Sequence, residues 1–333
     1  MKLGYLIKRV FGMNFGQLKT KLKEVHDKSS KSYIVLIFDM INCAVRYQAG
    51  YMDYALFEMY DLNREQRKTV VTRGINNGFI KKYNDPAYGD LFDNKILFSK
   101  RFAEFVRRDW VDINAADEKT LEDFIKKHPV FIAKPADGMC GKGIERISTE
   151  DFDGDDLVKY LKEKNLVLLE ECVVQHEKMS RLYPDSVNTC RVITLNHEGR
   201  VSVIAAYLRI GNGKHVDNFN SGGMVVPVDK ESGVIRYPAL DKSGKTYHTH
   251  PRTNVDISGF EIPMWDKVVS LTKQAATVVP QVGLVGWDVA VCDDEPLLIE
   301  GNNFPGHDIY GLPVHRTNGI GVLPEFEKAM GKK

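Results

Sequence analysis

"GWDVAVCDDEPLLIEGNN" (residues 286–303) is the stretch that decides the fold. Two apolar runs flank a cluster of turn formers, so it reads as a β-hairpin. Polar residues interrupt the runs at Asp288, Glu300 and Asn302. Side chains alternate faces along a strand, so Glu300 and Asn302, two apart, point the same way, and Asp288 can pair across the hairpin onto that face. An unpartnered carboxylate beside such apolar runs is costly. Three oxygen donors without sulfur or imidazole suit Mg2+, a hard cation that keeps waters and takes substrate phosphates as further ligands. The competing reading is an acid and an amide at an exposed strand end.

A second stretch, "FIAKPADGMCGKGIERI" (131–147), asks for an anion. An apolar strand ends at Lys134, a loop carries Gly138, Gly141, Lys142 and Gly143, and a second strand returns. The glycines let backbone approach a ligand closely, and successive N–H groups can cradle phosphate oxygens. This is not a Walker A loop. Only two residues separate Gly138 from Gly141, and Gly143 stands where Ser or Thr should follow Lys142. It opens no helix, so the dinucleotide fingerprint fails too. A hairpin that closes over phosphates is the functional reading and a plain turn the other.

Around these two stretches, residues from 130 onward alternate strands, helices and polar turns in an antiparallel α+β pattern. Strands are expected at 130–135, 144–148, 166–174, 190–196, 200–211, 222–229 and 234–240, helices at 156–165 and 264–280, and the hairpin above closes the series. Residues 31–90 read as helical and irregular, and "NKILFSKRFAEFVRRDW" (94–110) as a helix whose lysines and arginines are solvated. The 333 residues, 43% hydrophobic and 27% charged, suit two or three subdomains with a real core. A net charge of +1 gives no general attraction to nucleic acid or membrane. Five scattered cysteines without a CxxC pair point to a reducing cytoplasm. No secretory signal is visible, and the longest apolar run, 33–45, is too short to span a bilayer and contains Asp39 and Asn42. Residues 1–31 differ from the whole: eight basic and two acidic residues give a local +6, and Leu3, Leu6, Ile7, Val10, Phe11, Leu18, Leu22 and Val25 recur at roughly helical spacing. That describes either a basic amphipathic arm on an anionic membrane, at the cytoplasmic face, or on an acidic partner, or else a helix docked on the body.

The order "FIAKP…DG…GKG", "LLEECV", "WD…IEGN" resembles the ATP-grasp superfamily, whose ligases include D-alanine–D-alanine ligase and biotin carboxylase. The strings "QHEKMSRLYPDSVNTCRVITL", "DNFNSGGMVVPVD" and "GWDVAV…LIEGNNFPG" are similar to the sugar-transfer-associated ATP-grasp proteins, relatives of α-L-glutamate ligases with a context in surface polysaccharide synthesis. The resemblance covers roughly 91–325. It implies two α+β subdomains clasping ATP: residues 91–175 as an N-lobe with the glycine-rich lid and 176–328 as a C-lobe with the Mg2+ site, preceded by the arm (1–30) and a mostly helical region (31–90). The Rossmann-like start of many relatives is not legible in residues 1–90.

Carried over residue by residue, the resemblance makes Lys134 a ligand of the α- and β-phosphates and Lys95 the earlier ATP lysine, with Lys100 its rival. Gly138, Gly141, Lys142 and Gly143 form the lid. Glu170 accepts from the adenine amino group, the backbone of Cys172 and Val173 completes the adenine edge, and Glu177 or His176 meets the ribose. Asp288, Glu300 and Asn302 hold two Mg2+ ions, and Arg191 stabilises the transferring phosphate, while Arg209, a further catalytic candidate, is read from the sequence as lining the acceptor end. Asn188, Asn218, Ser221, Gly222, Asn303 and His307 are candidates for the substrate end. The implied chemistry is ATP-dependent joining of a carboxylate to an amine through an acyl phosphate, on a sugar or amino acid. A phosphotransferase acting on a hydroxyl and a nucleotide binder without catalysis are the alternatives. His248 and His250 form an HxH pair without an evident third ligand and read as a hairpin or loop tip rather than a zinc site.

Overall fold

The computed structural model describes residues 14–138, 143–153, 156–213 and 222–331. Its first sheet has four strands: β1 (Trp110–Asp112), β2 (Val130–Lys134), β3 (Glu145–Ser148) and β4 (Leu168–Glu171), in the order β1-β4-β2-β3. All its pairings are antiparallel. The period of two explains its faces. Phe131, Ala133 and Leu169 point one way, into a core completed by Phe124 of the helix Glu118–Lys127 and by Leu157 and Leu161 of the helix Asp156–Glu163. Lys134 and Glu170, on the opposite parity, point the other way.

The second sheet has seven strands: β5 (Thr189–His197), β6 (Arg200–Ile210), β7 (Met224–Val228), β8 (Ala239–Asp241), β9 (Thr246–Tyr247), β10 (Leu284–Ala290) and β11 (Leu297–Asn302). Their order is β11-β10-β5-β6-β7-β8-β9, again antiparallel throughout. One face is apolar: Cys190, Val192, Ala206, Leu208, Met224, Val226, Trp287 and Leu298 join a core with Val268, Leu271 and Ala275 of the helix Trp265–Val278 and with Phe92, Phe98 and Phe102. Gly301 is required there, because a Cβ would lie 2.9 Å from Phe98 and 3.0 Å from Trp287. The hairpins expected over 190–211 and 286–303 are present as β5–β6 and β10–β11.

Both sheets belong to one compact unit, Asn84–Pro305. The other unit combines Met1–Tyr83 with Gly306–Lys333. Residues 306–328, which the sequence reading attached to the C-lobe, thus fold with the N-terminal helices. Within that unit lie the helices Phe15–Ser29, Tyr33–Tyr47, Arg73–Tyr83 and Leu323–Ala329. Phe326 stacks on Phe79 at 4.5 Å, and Thr69 receives the backbone N–H groups of Gly321 and Leu323. The expected arm is helical from Phe15. Val25 is buried and Leu18 and Leu22 half-buried, while residues 1–13 lie outside the described residues.

Candidate active site

The outward face of the seven-stranded sheet carries a row of charges fixed by register. Arg191 on β5, Asp288 on β10 and Glu300 on β11 are direct cross-strand neighbours. Directly opposed residues share a face, so the three side chains stand together. A bulge follows Asp288, a feature common beside active sites. Arg191 grips Asp288 through a fork: Nε donates to Oδ1, and Nη2 donates to Oδ2 at 2.7 Å. Arg209 Nη1 adds a bond to Oδ2 at 3.0 Å. Burial would raise the Asp288 pKa, but Arg191 and Arg209 outweigh it and hold the carboxyl at about 2. Glu300 behaves oppositely. Burial and then the charge of its cross-strand neighbour Asp288 push its pKa up. Asn302 donates to Glu300 Oε1 at 3.2 Å and to the Gly286 carbonyl at 3.4 Å. Gly286 leaves room for this arrangement, since a Cβ there would lie 3.3 Å from Arg191 Cδ and 3.0 Å from Pro305.

This donor set fits a divalent cation. Two carboxylates side by side on one face, one with a raised pKa, are a place where a cation can relieve the repulsion between them. Asp288, Glu300 and Asn302 offer oxygen only, the chemistry Mg2+ takes.

The outward face of the four-stranded sheet carries the second charged group. Glu170 is 4% exposed and lies between two cations. It accepts from Arg108 Nη2 at 2.6 Å and pairs with Lys134. Burial opposes ionisation, yet Arg108 and Lys134 hold its pKa at about 2. Arg108 also donates to the carbonyls of Leu298, at 2.5 Å, and Ile299, at 3.3 Å, just before Glu300. One guanidinium therefore links Glu170 to the strand that carries Glu300 and Asn302. The sequence reading counted Arg108 among solvated residues. The structure corrects this, because Arg108 is 8% exposed. No motif marks it; only its place two residues before a strand could have.

Lys95 opens the helix Lys95–Arg101, whose N-cap Asn94 accepts from the backbone of Ile96 and Leu97. Its Nζ donates to the Gly138 carbonyl at 2.8 Å. Burial and Lys134 lower its pKa against the pull of Glu300, Asp137 and Glu170. Lys95 thus senses both charged groups, whereas Lys100 is exposed on the helix surface. Gly138 and Gly143, both at positive φ, flank the hairpin loop between β2 and β3. Gly141 and Lys142 lie outside the described residues, as do Asn218 and Ser221.

Cys172 and Val173 follow β4 half-buried. The His176 ring caps the helix Glu177–Leu182 by accepting from the Lys178 N–H, while Glu177 is exposed and pairs with Arg181 at 2.5 Å. Asn303 holds the chain before residue 90 by donating to the Gly89 carbonyl at 3.3 Å. Gly222, at φ +103, leads into β7. Asn188 departs from the expectation. It is wholly buried, its amide donates to Gln175 Oε1 and to the Met179 and Tyr183 carbonyls, and its oxygen accepts from the Gly211 N–H. Those bonds use the side chain to tie a loop together and leave nothing for a substrate. His307 belongs to the other unit, where it bonds Asp53 at 2.8 Å and stands against Phe57. His250 is buried against the Gly211 carbonyl, as befits a structural histidine.

Two antiparallel sheets, one presenting buried arginine and carboxylate groups and the other a buried lysine–carboxylate pair on its outward face, with a glycine-rich hairpin beside them, make this an ATP-grasp protein. The chain belongs to the sugar-transfer associated ATP-grasp family, whose model matches residues 74–327. Comparison with curated proteins gives no significant match. Among solved structures, the chain is similar to the ATP-grasp ligase PsnB complexed with a phosphomimetic variant of minimal precursor, Mg and ADP, at 12% identity and a TM-score of 0.44 over 77% of this chain and 65% of that one. It is also similar to a D-alanine–D-alanine ligase from Helicobacter pylori (14%, 0.38, 72% and 61%). A third is an N5-carboxyaminoimidazole ribonucleotide synthetase from Thermus thermophilus (12%, 0.41, 69% and 51%). The chain spans less than two thirds of the length of each of these three.

Proposed function

We propose that the chain is an ATP-dependent carboxylate–amine ligase that forms an amide through an acyl phosphate, on a sugar or amino-acid substrate of surface polysaccharide synthesis. The observation that carries this reading is the cross-strand row Arg191–Asp288–Glu300 together with Lys95 and Lys134 in the same unit. Phosphoryl transfer needs positioning and charge neutralisation more than covalent catalysis. Lys95 and Lys134 bind the nucleotide phosphates, and the hairpin between β2 and β3 covers them. Glu170, Cys172 and Val173 meet the adenine, with Glu177 or His176 at the ribose. Arg191 and Arg209 neutralise the oxygens of the phosphoryl group in flight. Asp288, Glu300 and Asn302 would hold Mg2+, which when bound neutralises phosphate charge. The substrate carboxylate oxygen attacks the γ-phosphorus and ADP leaves. The amine then attacks the acyl carbon, phosphate departs with the bonding pair, and the amine proton passes to solvent. Gly222 and Asn303 are the candidates for the substrate end among the described residues.

The reaction is tested with ATP, Mg2+ and a pool of amino acids and amino- and carboxy-sugars, following ADP and phosphate by NMR and products by mass. The expected result is ADP, free phosphate and an adduct lighter by one water than its two parts. With an 18O-labelled carboxylate, one label appears in the released phosphate. Both signals vanish in Lys134→Ala and Glu300→Gln. A phosphorylated acceptor with no free phosphate would overturn the ligase reading in favour of a kinase.

A further inference from the structure

The helix Tyr33–Tyr47 has two apolar faces, and the fold uses only one. Leu36, Met40, Cys43 and Tyr47 are buried in the helical unit. Seven other large apolar residues are exposed: Tyr33, Ile34, Val35, Ile37, Phe38, Ile41 and Val45. At 3.6 residues per turn, Ile34, Ile37, Phe38, Ile41 and Val45 fall within an arc of roughly 100° opposite the buried set. Ile34 and Phe38 are 70% and 69% exposed, far beyond a scattered surface hydrophobe. The only carboxylate on the helix, Asp39, is taken off this surface. Arg67 binds it through a fork at 2.6 and 2.7 Å, and Tyr54 donates to it at 2.7 Å. The stripe is therefore free of negative charge.

Its rim is basic. The preceding helix Phe15–Ser29 is joined to this one through Ser30–Ser32 and by the His26 ring, stacked on Tyr33 at 4.1 Å. It presents exposed Lys19, Lys23 and Lys28, and Arg46 is exposed at the far end. Residues 1–31 carry a net +6. Among the described residues no helix is long and apolar enough to cross a membrane. A helix of 15 residues is about 22 Å long, short of the roughly 30 Å hydrocarbon core, so it can lie in the interface but not span it.

We propose that the helix Tyr33–Tyr47 lays its outward stripe into an anionic phospholipid surface, with the lysines of Phe15–Ser29 bound to the headgroups. Apolar burial supplies the affinity and the basic rim selects negative lipid. The sequence placed such a contact on the arm alone; the structure puts the apolar surface on the next helix.

The test is flotation of the full chain with vesicles of phosphatidylcholine, alone or with roughly one third phosphatidylglycerol. Wild type is expected to float with the anionic vesicles and to bind less at high salt. Ile34→Asp/Phe38→Asp/Ile41→Asp is expected to lose about tenfold or more in partitioning at an unchanged melting temperature. If that variant unfolds, Phe38→Trp serves instead: its emission shifts blue and is quenched by brominated lipid when the stripe enters the bilayer. The three native tryptophans lie in the other unit, at 110, 265 and 287. Wild type that stays at the bottom of the gradient overturns the proposal. So does flotation that the triple Asp variant leaves intact, or a dimer in solution that this variant converts to monomer, since a second copy would then cover the stripe.

Discussion

Replacing Arg108 by methionine tests how the buried charges hold each other. The guanidinium makes three bonds: to Glu170 Oε1 at 2.6 Å, to the Leu298 carbonyl at 2.5 Å and to the Ile299 carbonyl at 3.3 Å. Methionine keeps much of the volume and removes all three. Glu170 stays buried with Lys134 as its single cation. Its carboxyl sits at about 2 against an ordinary 4.5, a difference worth about 3 kcal/mol of stability at neutral pH. Breaking a buried pair on one side costs about 3–5 kcal/mol, a large part of a typical total of about 5–15 kcal/mol. We therefore expect the unit Asn84–Pro305 to lose about 3 kcal/mol, seen as a drop of roughly 6–12 °C in melting temperature by the fluorescence of its tryptophans. The loss depends on pH in a defined direction. A depressed carboxyl pKa stabilises fully above the unfolded value of 4.5, and that stabilisation disappears as pH falls towards 2. In the variant, the Glu170 pKa moves up and less remains to be lost. The gap between wild type and Arg108→Met is thus constant near neutrality and narrows below about pH 5. The double variant Arg108→Met/Glu170→Gln should recover part of the loss, because the uncompensated carboxylate is gone. A gap below about 1 kcal/mol that stays flat with pH would refute the reasoning and reduce the Arg108–Glu170 contact to an ordinary surface pair.

Three further outcomes follow from the geometry. Asn188→Ala removes bonds to four partners in a buried loop and should cost about 2–4 kcal/mol by urea denaturation, while nucleotide affinity of the folded protein stays at wild type. Gly301→Ala puts a methyl 2.9 Å from Phe98 and 3.0 Å from Trp287, and should cost about 1–3 kcal/mol and shift tryptophan emission. Gly321→Ala drives a methyl to 2.4 Å from the Thr69 carbonyl, and hydrogen exchange should speed up around Thr69–Val71 with no change in the sheets.

The strand-borne part of the site was legible because a period of two is short and strict. Asp288, Glu300 and Asn302 could be assigned to one face from the residue count, and the hairpin register follows from its turn. Lys134 was legible as the lysine that ends an apolar strand before a glycine-rich loop, and Glu170 only through the family resemblance. Arg108 was not, since its partners are 62 and about 190 residues away and nothing local separates a buried arginine from a solvated one. Asn188 misled for a related reason: a polar residue at a strand start looks available until the carbonyls that consume it are folded around it. The stripe on Tyr33–Tyr47 was hidden by its own richness. A helix apolar on most sides gives no indication of which face the fold will cover.

The return of residues 306–331 to the N-terminal helices has a consequence for synthesis. Phe79 waits for Phe326, Phe57 for Arg316, and Thr69 for Gly321. Between the halves lie the 222 residues of Asn84–Pro305, which a ribosome takes roughly 10–45 s to make at about 5–20 residues per second. During that interval the nascent chain carries an unfinished helical unit, with Phe79 uncovered and the apolar side of Tyr33–Tyr47 outside the tunnel. The sheets emerge whole and can fold before the first-made helices have their last partner. The segment made first is thus completed last, and a ribosome stalled anywhere before residue 306 holds a chain whose helical layer lacks its closing piece.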